Sequence, residues 1–172
     1  MTNFKGYLYS NKTVHPMIKI LDPQEDTIAE NIYSVFQASY AVEAELLDAK
    51  DFPPLKRTIQ DFKNSETSFF GHWIGKKLTA VIEIEPSPNK FHICSLVVHP
   101  TYFRRGIASE LVTFIFKLLV GNKITVETGL ANIPAIVLYK RFGFKQVGQY
   151  DTEHGIRKIQ LAIEKATLNT IS

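Results

Sequence analysis

Two arginines, a glycine and two small residues lie together where an apolar strand meets an apolar helix. The stretch VHPTYFRRGIASELV, residues 98–112, contains Arg104, Arg105, Gly106, Ala108 and Ser109. The N-terminus of a helix presents unpaired backbone N–H groups and about half a positive charge, so backbone brought close to it binds phosphate. The glycine permits this approach, the small residues leave room, and the arginines add positive charge. These residues favour a pyrophosphate site; the alternative is an ordinary connection whose arginines face solvent.

Length and composition limit the classes of protein to which the chain can belong. The chain has 172 residues, 45% of them hydrophobic, which suffices for one domain with a full core. The single Cys94, interpreted as a buried small apolar residue, excludes an intramolecular disulfide. The five histidines form no zinc-ligand spacing, so we expect no metal. A net charge of +3, with basic residues interspersed among acids, argues against a nucleic-acid partner.

The sequence has no segment typical of export or of a membrane span. The N-terminal region contains no apolar run of signal-peptide length. No window approaches the roughly 18 apolar residues that a transmembrane helix needs. We therefore expect a soluble, cytoplasmic protein without a membrane partner.

The elements before the junction alternate between strand and helix patterns. Two strand-like pieces, GYLYS and MIKIL, precede a helix that runs from Pro23 toward Tyr40. The proline pair at residues 53 and 54 suits a turn and the start of a second helix, at about residues 55–64. Three strands then form an antiparallel meander: SFFGHWIG, KLTAVIEIE and FHICSLVVH. The third is almost continuously apolar from residue 93 to 98, which is typical of a strand covered on both faces.

The elements after the junction continue this alternation. Apolar residues at helical steps predict a helix from Ile107 to about Gly121, and KITVETGL predicts a strand. A short helix at about residues 133–142 is capped by Asn132 and stops at Gly143. KQVGQYDTEHGIRKIQLAIE is interpreted as a closing hairpin that turns near Gly155. The tail after Glu164 is expected to be frayed or ordered only by a partner.

Two of these segments together resemble the motifs of the GNAT superfamily of N-acetyltransferases. LVVHP at residues 96–100 and FRRGIA at 103–108 resemble its motif A, although Phe103 stands where the family usually has Gln or Arg. TVETGLANIPAIVLYKRFGF at residues 125–144 resembles its motif B, with six positions in register: Asn132, Ala135, Leu138, Tyr139, Gly143 and Phe144. The resemblance implies an α/β (α+β) fold with a mixed, mostly antiparallel central sheet flanked by helices. Residues 1–172 would form one such domain, with its core at about residues 18–163.

This resemblance also implies a binding site for acetyl-CoA as cosubstrate. The strand residues Leu96, Val97 and Val98 would lie beside its pantetheine, at a point where the family's strands splay apart. A backbone N–H group on this strand could stabilise the oxyanion that forms at the thioester. Residues 104–109, namely Arg104, Arg105, Gly106, Ile107, Ala108 and Ser109, would hold the pyrophosphate by their backbone. Asn132 is a further cofactor contact in addition to its role as a helix cap.

Transfer to an amine requires an acid and a base, because the amine is mostly protonated at neutral pH. Tyr139 matches the tyrosine that protonates the departing thiolate in many family members; its alternative role is that of a core aromatic. Glu127 lies twelve residues before Tyr139. Amino-terminal acetyltransferases of this superfamily that use a glutamate base have the same spacing between that base and the tyrosine. A glutamate that pairs with a lysine or faces solvent is an equal alternative. Glu83 and Glu85, or water, are rival bases.

The sequence does not identify the acceptor amine, the preferred acyl group or the oligomeric state, and a homodimer stays open. In this fold, residues 41–55 and 150–155 usually build the acceptor site. The predicted function is acetyl transfer from acetyl-CoA to a primary amine of a small molecule, a peptide N-terminus or a lysine, by direct attack in a ternary complex. The alternative, encouraged by Phe103, is a catalytically degenerate CoA sensor or protein-interaction module.

Overall fold

A seven-stranded mixed sheet organises the chain in the computed structural model, which describes residues 18–88 and 90–166. Along the sheet, the strands are ordered β1-β2-β3-β4-β5-β7-β6. All neighbouring strands are antiparallel except β4 and β5, which are parallel. The strands are β1 Ile18–Leu21, β2 Ser68–Ile74, β3 Lys77–Ser87, β4 Lys90–Val98, β5 Lys123–Gly129, β6 Lys145–Asp151 and β7 Arg157–Ile163. The predicted mixed, mostly antiparallel sheet is confirmed, as are the meander β2-β3-β4 and the closing hairpin.

In the described residues, four α-helices cover the two faces of the sheet. They are α1 Asp26–Leu46, α2 Ile59–Lys63, α3 Ile107–Leu118 and α4 Ile133–Arg141. Alternation along the strands sends successive side chains to opposite faces. Phe69 of β2 thus packs with α1 and α2 in one core, while Phe70 packs with α3 in the other. The predicted start of α3 and the predicted α4 are confirmed, including the Asn132 cap, whose side-chain oxygen accepts the N–H of Ala135 at 3.2 Å. Helix α3 ends at Leu118, before the predicted end near Gly121.

A β-bulge in β4 reverses the two faces of that strand. Glu83 of β3 pairs with Ser95, but Ile84 pairs with Ile93, so Cys94 is an extra residue. Before the bulge, Ile93 faces the core under α3 and α4; after it, Leu96 faces that core instead. The prediction that this strand is covered on both faces is confirmed in part, since Val97 packs in the core with α1 while Leu96 and Val98 pack against the core with α3 and α4. Residues 92, 94, 96 and 98 are only half-buried, and Cys94 is therefore not a fully buried residue.

The parallel pairing of β4 with β5 stops halfway along both strands. The last partners are Ile93 and Val126, so residues 94–98 of β4 run without a β5 partner. We call the opening between these residues and residues 127–129 of β5 the strand gap. It leaves backbone groups of β4 free on the side toward β5, as the family resemblance implied.

Two predictions about the helical N-terminal half are wrong. Helix α1 does not end near Tyr40 but continues through AVEAEL to Leu46, because these residues favour a helix and contain no glycine or proline. The predicted helix at residues 55–64 is instead a 3₁₀ turn, Pro53–Lys56, followed by the separate α2. Arg57 and Thr58 between them are extended, and Thr58 begins α2 through a capping box with Asp61.

The two ends of the described chain agree with the prediction only in part. The strand predicted at GYLYS lies outside the described residues, and of MIKIL all but Met17 lie in β1. After Glu164 the chain is ordered through Ala166, which is fully buried and exchanges backbone hydrogen bonds with Gly121 and Asn122. The expectation of a frayed tail is therefore wrong up to Ala166; residues 167–172 lie outside the described part.

Candidate active site

A cavity of about 400 Å³ opens at the strand gap. This volume lies in the range of small-molecule sites. The end of α1 lines one side, the start of α4 another, and the β6–β7 loop forms part of the rim. We call this space the central cavity. It holds the predicted residues Leu96, Glu127, Asn132 and Tyr139.

Tyr139 reaches the central cavity from α4. The residue is 3% exposed, and its ring packs edge-to-face against Phe144 at a centroid distance of 5.4 Å. Burial raises the pKa of the phenol well above its ordinary value, and the nearby Tyr40 and Glu43 add to the rise. The phenol is therefore a neutral proton donor across the physiological pH range.

Glu127 also lines the central cavity, but both of its carboxylate oxygens have partners. Tyr150 donates to one at 2.6 Å and the side-chain amide of Gln160 donates to the other at 2.8 Å. Partial burial alone would raise the pKa of this carboxyl. The two hydrogen bonds, together with the positive charge of Lys158, hold the pKa below its ordinary value. Glu127 is thus an ionised group that ties β5 to the closing hairpin.

The two rival glutamates on β3 lie elsewhere. Glu83 is buried on the face covered by α1 and α2, where the guanidinium of Arg57 binds both of its oxygens at 2.7 and 2.8 Å. Thr67 donates a third hydrogen bond, at 2.7 Å. Glu85 is exposed and lies beside another depression. Neither side chain lines the central cavity among the described residues.

Two residues of α1 that the sequence analysis did not assign face the central cavity. The hydroxyl of Tyr40 donates to Ser95 of β4 at 2.9 Å, and burial raises the pKa of this tyrosine. Glu43, half-buried, lies close to Asn132, the N-cap of α4. Phe36, Tyr40, Glu43 and Leu47 recur at steps of four and three residues. Extending the predicted helix along this stripe would have placed Glu43 on the same face as the buried Phe36.

The predicted strand residues occupy different surroundings because side chains alternate along β4. Leu96 and Val98 are half-buried on the face of α3 and α4, and Leu96 lines the central cavity. Val97 is buried on the other face, with α1. Only the backbone of Val97 is therefore available at the strand gap.

The junction turn, residues 103–109, lies at the carboxyl end of β4. Arg104 has φ = 63° and Gly106 has φ = 80°, so both adopt the left-handed conformation. A non-glycine residue held there costs about 1 kcal/mol or more, and such residues cluster at functional sites. Gly106 has no side chain with which to cap α3, so the first-turn N–H groups of the helix lack a side-chain acceptor from this position. Residues 104–109 do not line the central cavity itself.

Side chains in the junction turn point in different directions. Arg105 lies over the ring of Tyr102, with its guanidinium carbon 5.1 Å from the ring centroid. Arg104 is exposed, Ile107 is buried in the core, and Ala108 and Ser109 are half-buried. Phe103, at the position where the family usually has Gln or Arg, is 40% exposed, and its backbone N–H donates to Pro100 at 3.1 Å. The unusual side chain thus lies on the surface of the turn.

Asn132 has more roles than the sequence predicted. Its side-chain oxygen caps α4, its backbone N–H donates to the backbone oxygen of Gly129 at 2.9 Å, and its side chain lies near Glu43. These bonds fix the orientation of the side chain at the edge of the central cavity.

The segments expected to form the acceptor side do surround the central cavity, with one correction. Residues 41–46 belong to helix α1 rather than to a loop. Leu47, residues 52–54 and residues 152–154 form the rim. Leu47 contacts Gly129 so closely that a Cβ atom there would overlap it, which closes the cavity between α1 and β5.

A larger, open depression of about 1460 Å³ lies beside β1 and β2. Its lining includes Lys19, Asp22, Trp73 and Glu85 but neither Tyr139 nor the strand gap. We assign the chemistry to the smaller central cavity because it combines free strand backbone with buried titratable groups. In the described residues, no group of three or more His, Cys, Asp or Glu side chains is placed to hold a metal ion. No helix of that same part is long and apolar enough to cross a membrane.

Comparison with known proteins adds a family match. The profile of the "Acetyltransferase (GNAT) family" matches residues 29–144. The UPF0157 protein YqkA of Bacillus subtilis (strain 168) is 34% identical over 141 residues, which cover 81% of this chain and 41% of that protein. The chain thus spans about two fifths of the length of this curated relative.

Solved structures match over most of the chain. The ribosomal-protein-S18-alanine N-acetyltransferase of Escherichia coli has a TM-score of 0.66 and 22% identity, covering 87% of this chain and 94% of that one. The paia N-acetyltransferase of Thermoplasma acidophilum, solved in complex with coenzyme A, has a TM-score of 0.62 and 17% identity, covering 86% and 98%. At these identities the matches show a shared fold.

Proposed function

The chain belongs to the GNAT acetyltransferase family, and on this premise we propose that it transfers an acetyl group from acetyl-CoA to a primary amine. The amine attacks the thioester directly, with both substrates bound at once. The acceptor is a small molecule, a peptide N-terminus or a lysine side chain.

The observation that carries the proposal is the strand gap with Tyr139 beside it. Residues 94–98 of β4 offer backbone hydrogen bonds to an extended ligand because β5 does not pair with them. Tyr139 supplies a neutral phenol at the same place. A free strand edge beside a buried proton donor suits a thioester whose sulfur must leave as a thiol.

The chain's own residues fit the binding of acetyl-CoA, which supplies the activated acetyl group. Leu96, Val97 and Val98 would hold the pantetheine by their backbone. Residues 104–109 would hold the pyrophosphate, since the left-handed turn at Gly106 delivers backbone to the N-terminus of α3. Asn132 lies beside the strand gap as a further contact. The CoA complex of the Thermoplasma acidophilum neighbour supports this assignment.

Proton transfer is assigned to two groups that line the central cavity. Tyr139 donates its phenol proton to the departing thiolate. A carboxylate takes the proton of the acceptor ammonium, and Glu127 is the sequence-based hypothesis for it. Both residues line the same cavity, which supports their assignment to one bound acceptor.

An acceptor screen tests this function. Acetyl-CoA is incubated with spermidine, ethylamine, alanine-initiated peptides and lysine-containing peptides, and free thiol is measured beside a calorimetric titration with CoA alone. We expect CoA binding together with acceptor-dependent thiol release. Binding without thiol release from any acceptor would instead indicate the CoA sensor.

The variant Tyr139→Phe tests the acid. It should lower kcat by about a hundredfold or more while changing the affinity for acetyl-CoA little. Tyr33→Phe is the matched control, because Tyr33 lies on α1 outside the central cavity. An unchanged kcat in Tyr139→Phe would rule out the phenol as the acid.

A further inference from the structure

We propose that Glu43, at the end of α1, is the base that removes the proton from the acceptor ammonium. The inference rests on the proposed function and deepens it, because it assigns the proton acceptor to a residue outside both sequence motifs. It also predicts that the acceptor enters as a cation and binds between α1 and α4.

The position of Glu43 brings a carboxylate to the strand gap from the side opposite Tyr139. Helix α1 covers one face of the sheet and α4 the other, and the two approach each other where β4 and β5 separate. Glu43 at the end of α1 and Asn132 at the start of α4 come close together here, and both line the central cavity. The charge of Glu43 acts on the phenol of Tyr139, so both groups lie close to one small space.

Glu43 has the free bonding capacity that the other cavity carboxylate lacks. Glu127 accepts hydrogen bonds on both oxygens, from Tyr150 and Gln160. Glu43 lies near the side chain of Asn132, and it takes part in none of the ion pairs within 4.0 Å among the described residues. A carboxylate oxygen without a partner can accept a proton from a ligand.

The charges that face Glu43 come from every neighbouring element. Tyr40 on its own helix and Tyr139 on α4 are neutral phenols, Lys158 on β7 is positive, and Glu127 on β5 is negative. The loop between β6 and β7 adds Glu153 and His154, and His154 lies 3.0 Å from Asp51.

The net result of these surroundings is a stronger base. Burial raises the pKa of Glu43 above its ordinary value, although Asn132 and Lys158 act in the other direction. A base is most effective when its pKa approaches the working pH. The pKa of Glu127 is shifted downward. The raised pKa of Glu43 therefore suits a base, and the lowered pKa of Glu127 suits a carboxylate that stays ionised and holds the structure together.

The proton balance of the transfer is complete with these groups. Glu43 takes one proton from the ammonium, and the neutral nitrogen forms a bond to the acetyl carbonyl carbon. The bond from that carbon to sulfur breaks, and Tyr139 gives its proton to the thiolate. The phenolate regains a proton from the nitrogen as the amide forms, and Glu43 releases its proton to solvent. The products are one amide, one thiol and one proton.

A pair of amines tests the role of Glu43. Ethylamine is protonated at neutral pH, whereas trifluoroethylamine has nearly the same shape and is unprotonated. We expect Glu43→Gln to lower kcat/KM for ethylamine by about a hundredfold or more and for trifluoroethylamine by less than about tenfold. Glu43→Gln should also remove the acidic limb of the pH profile, which Glu127→Gln should keep. Equal losses for both amines, or an acidic limb lost only in Glu127→Gln, would overturn the proposal.

Two controls separate this inference from the function on which it rests. Glu45→Gln changes an exposed carboxyl two residues away on the same helix and should leave both amines unaffected. An NMR titration of the glutamate carboxyls in the full chain, without any substrate, should show a higher pKa for Glu43 than for Glu127. A lower pKa for Glu43 refutes the inference alone. A protein that binds CoA but releases no thiol with any amine contradicts the proposed function, and the inference with it.

Discussion

Removing the charge of Glu83 should destabilise the protein strongly, because this carboxylate is the buried partner of Arg57. The side chain of Glu83 is 3% exposed, and Arg57 binds it through two parallel hydrogen bonds of 2.7 and 2.8 Å. The guanidinium carbon also lies 4.2 Å from the centroid of the Phe62 ring. In Glu83→Gln the shape is kept, but an amide N–H group faces a guanidinium N–H group and the positive charge loses its counter-charge.

The magnitude follows from the burial of the two partners. Breaking a buried ion pair by removing one partner costs about 3–5 kcal/mol. The side chain of Arg57 is 25% exposed and can recruit water after the change, so we expect the lower end, about 3 kcal/mol. In a chain of this length each kcal/mol lowers Tm by about 2–4 °C, which gives a decrease of about 6–12 °C.

Urea unfolding of Glu83→Gln, followed by the fluorescence of Trp73, measures this loss. The matched control is Glu164→Gln, which breaks an exposed pair with Lys123 and should change the free energy of unfolding by less than about 0.5 kcal/mol. A loss in Glu83→Gln no larger than in the control would refute the reasoning from burial. The acidic limb of the pH profile should survive in Glu83→Gln, since Glu83 does not line the central cavity.

Three further predictions concern the central cavity and the junction turn. Burial raises the pKa of the Cys94 thiol to about 12. At neutral pH, iodoacetamide should therefore alkylate Cys94 about a thousandfold more slowly in the folded protein than in the urea-unfolded protein. Equal rates of alkylation would contradict this burial. Tyr150→Phe removes a hydrogen bond that lowers the pKa of Glu127, so NMR titration should show a higher Glu127 pKa. A carboxyl whose pKa is lower in the folded than in the unfolded protein stabilises the folded protein fully only above its unfolded-state pKa. Tyr150→Phe, which weakens this effect at Glu127, should therefore lose stability at neutral pH but not in acid. In Gly106→Ala the new Cβ atom meets no other atom within 4 Å, so only the φ of 80° at this position opposes the change. Calorimetry should show weaker CoA binding, and the free energy of unfolding should fall by about 1–2 kcal/mol. An unchanged Tm would contradict this prediction.

The strands were predictable because turns and alternating apolar residues mark their ends. The meander lies within two residues of the prediction, with Gly75 at φ = 58° in its first turn. The break in the predicted helix at residues 55–64 was not predictable from apolar periodicity, because Arg57 fits a helix in type, although Thr58 is a residue type that favours an N-cap. Arg57 is extended so that its guanidinium reaches Glu83 on β3, a partner 26 residues away. A long-range ion pair thus overrides local helix propensity here.

The candidate site was predictable where motifs carry it and not where tertiary packing does. Tyr139 and Glu127 were assigned from motif B, and the structure brings both to one cavity. Glu43 was expected only within the segment of residues 41–55 that builds the acceptor site, because the prediction ended α1 near Tyr40. The extension of α1 is anchored by Leu47 against Gly129. No local pattern in the sequence reports a contact between residues so far apart.

The bulge at Cys94 explains why the apolar run in β4 suggested a strand buried on both faces. Before the bulge, Phe91 and Ile93 face the core under α3 and α4; after it, Leu96 and Val98 do. The residues required on that face therefore occupy odd positions first and even positions later, and Val97 adds an apolar residue on the face of α1, so the run is almost continuous. The reversal falls one residue after the last β5 partner, Ile93. The extra residue thus turns Ser95 toward Tyr40 on α1 at the place where the strand gap opens, which brings α1 and its Glu43 to the free edge of β4.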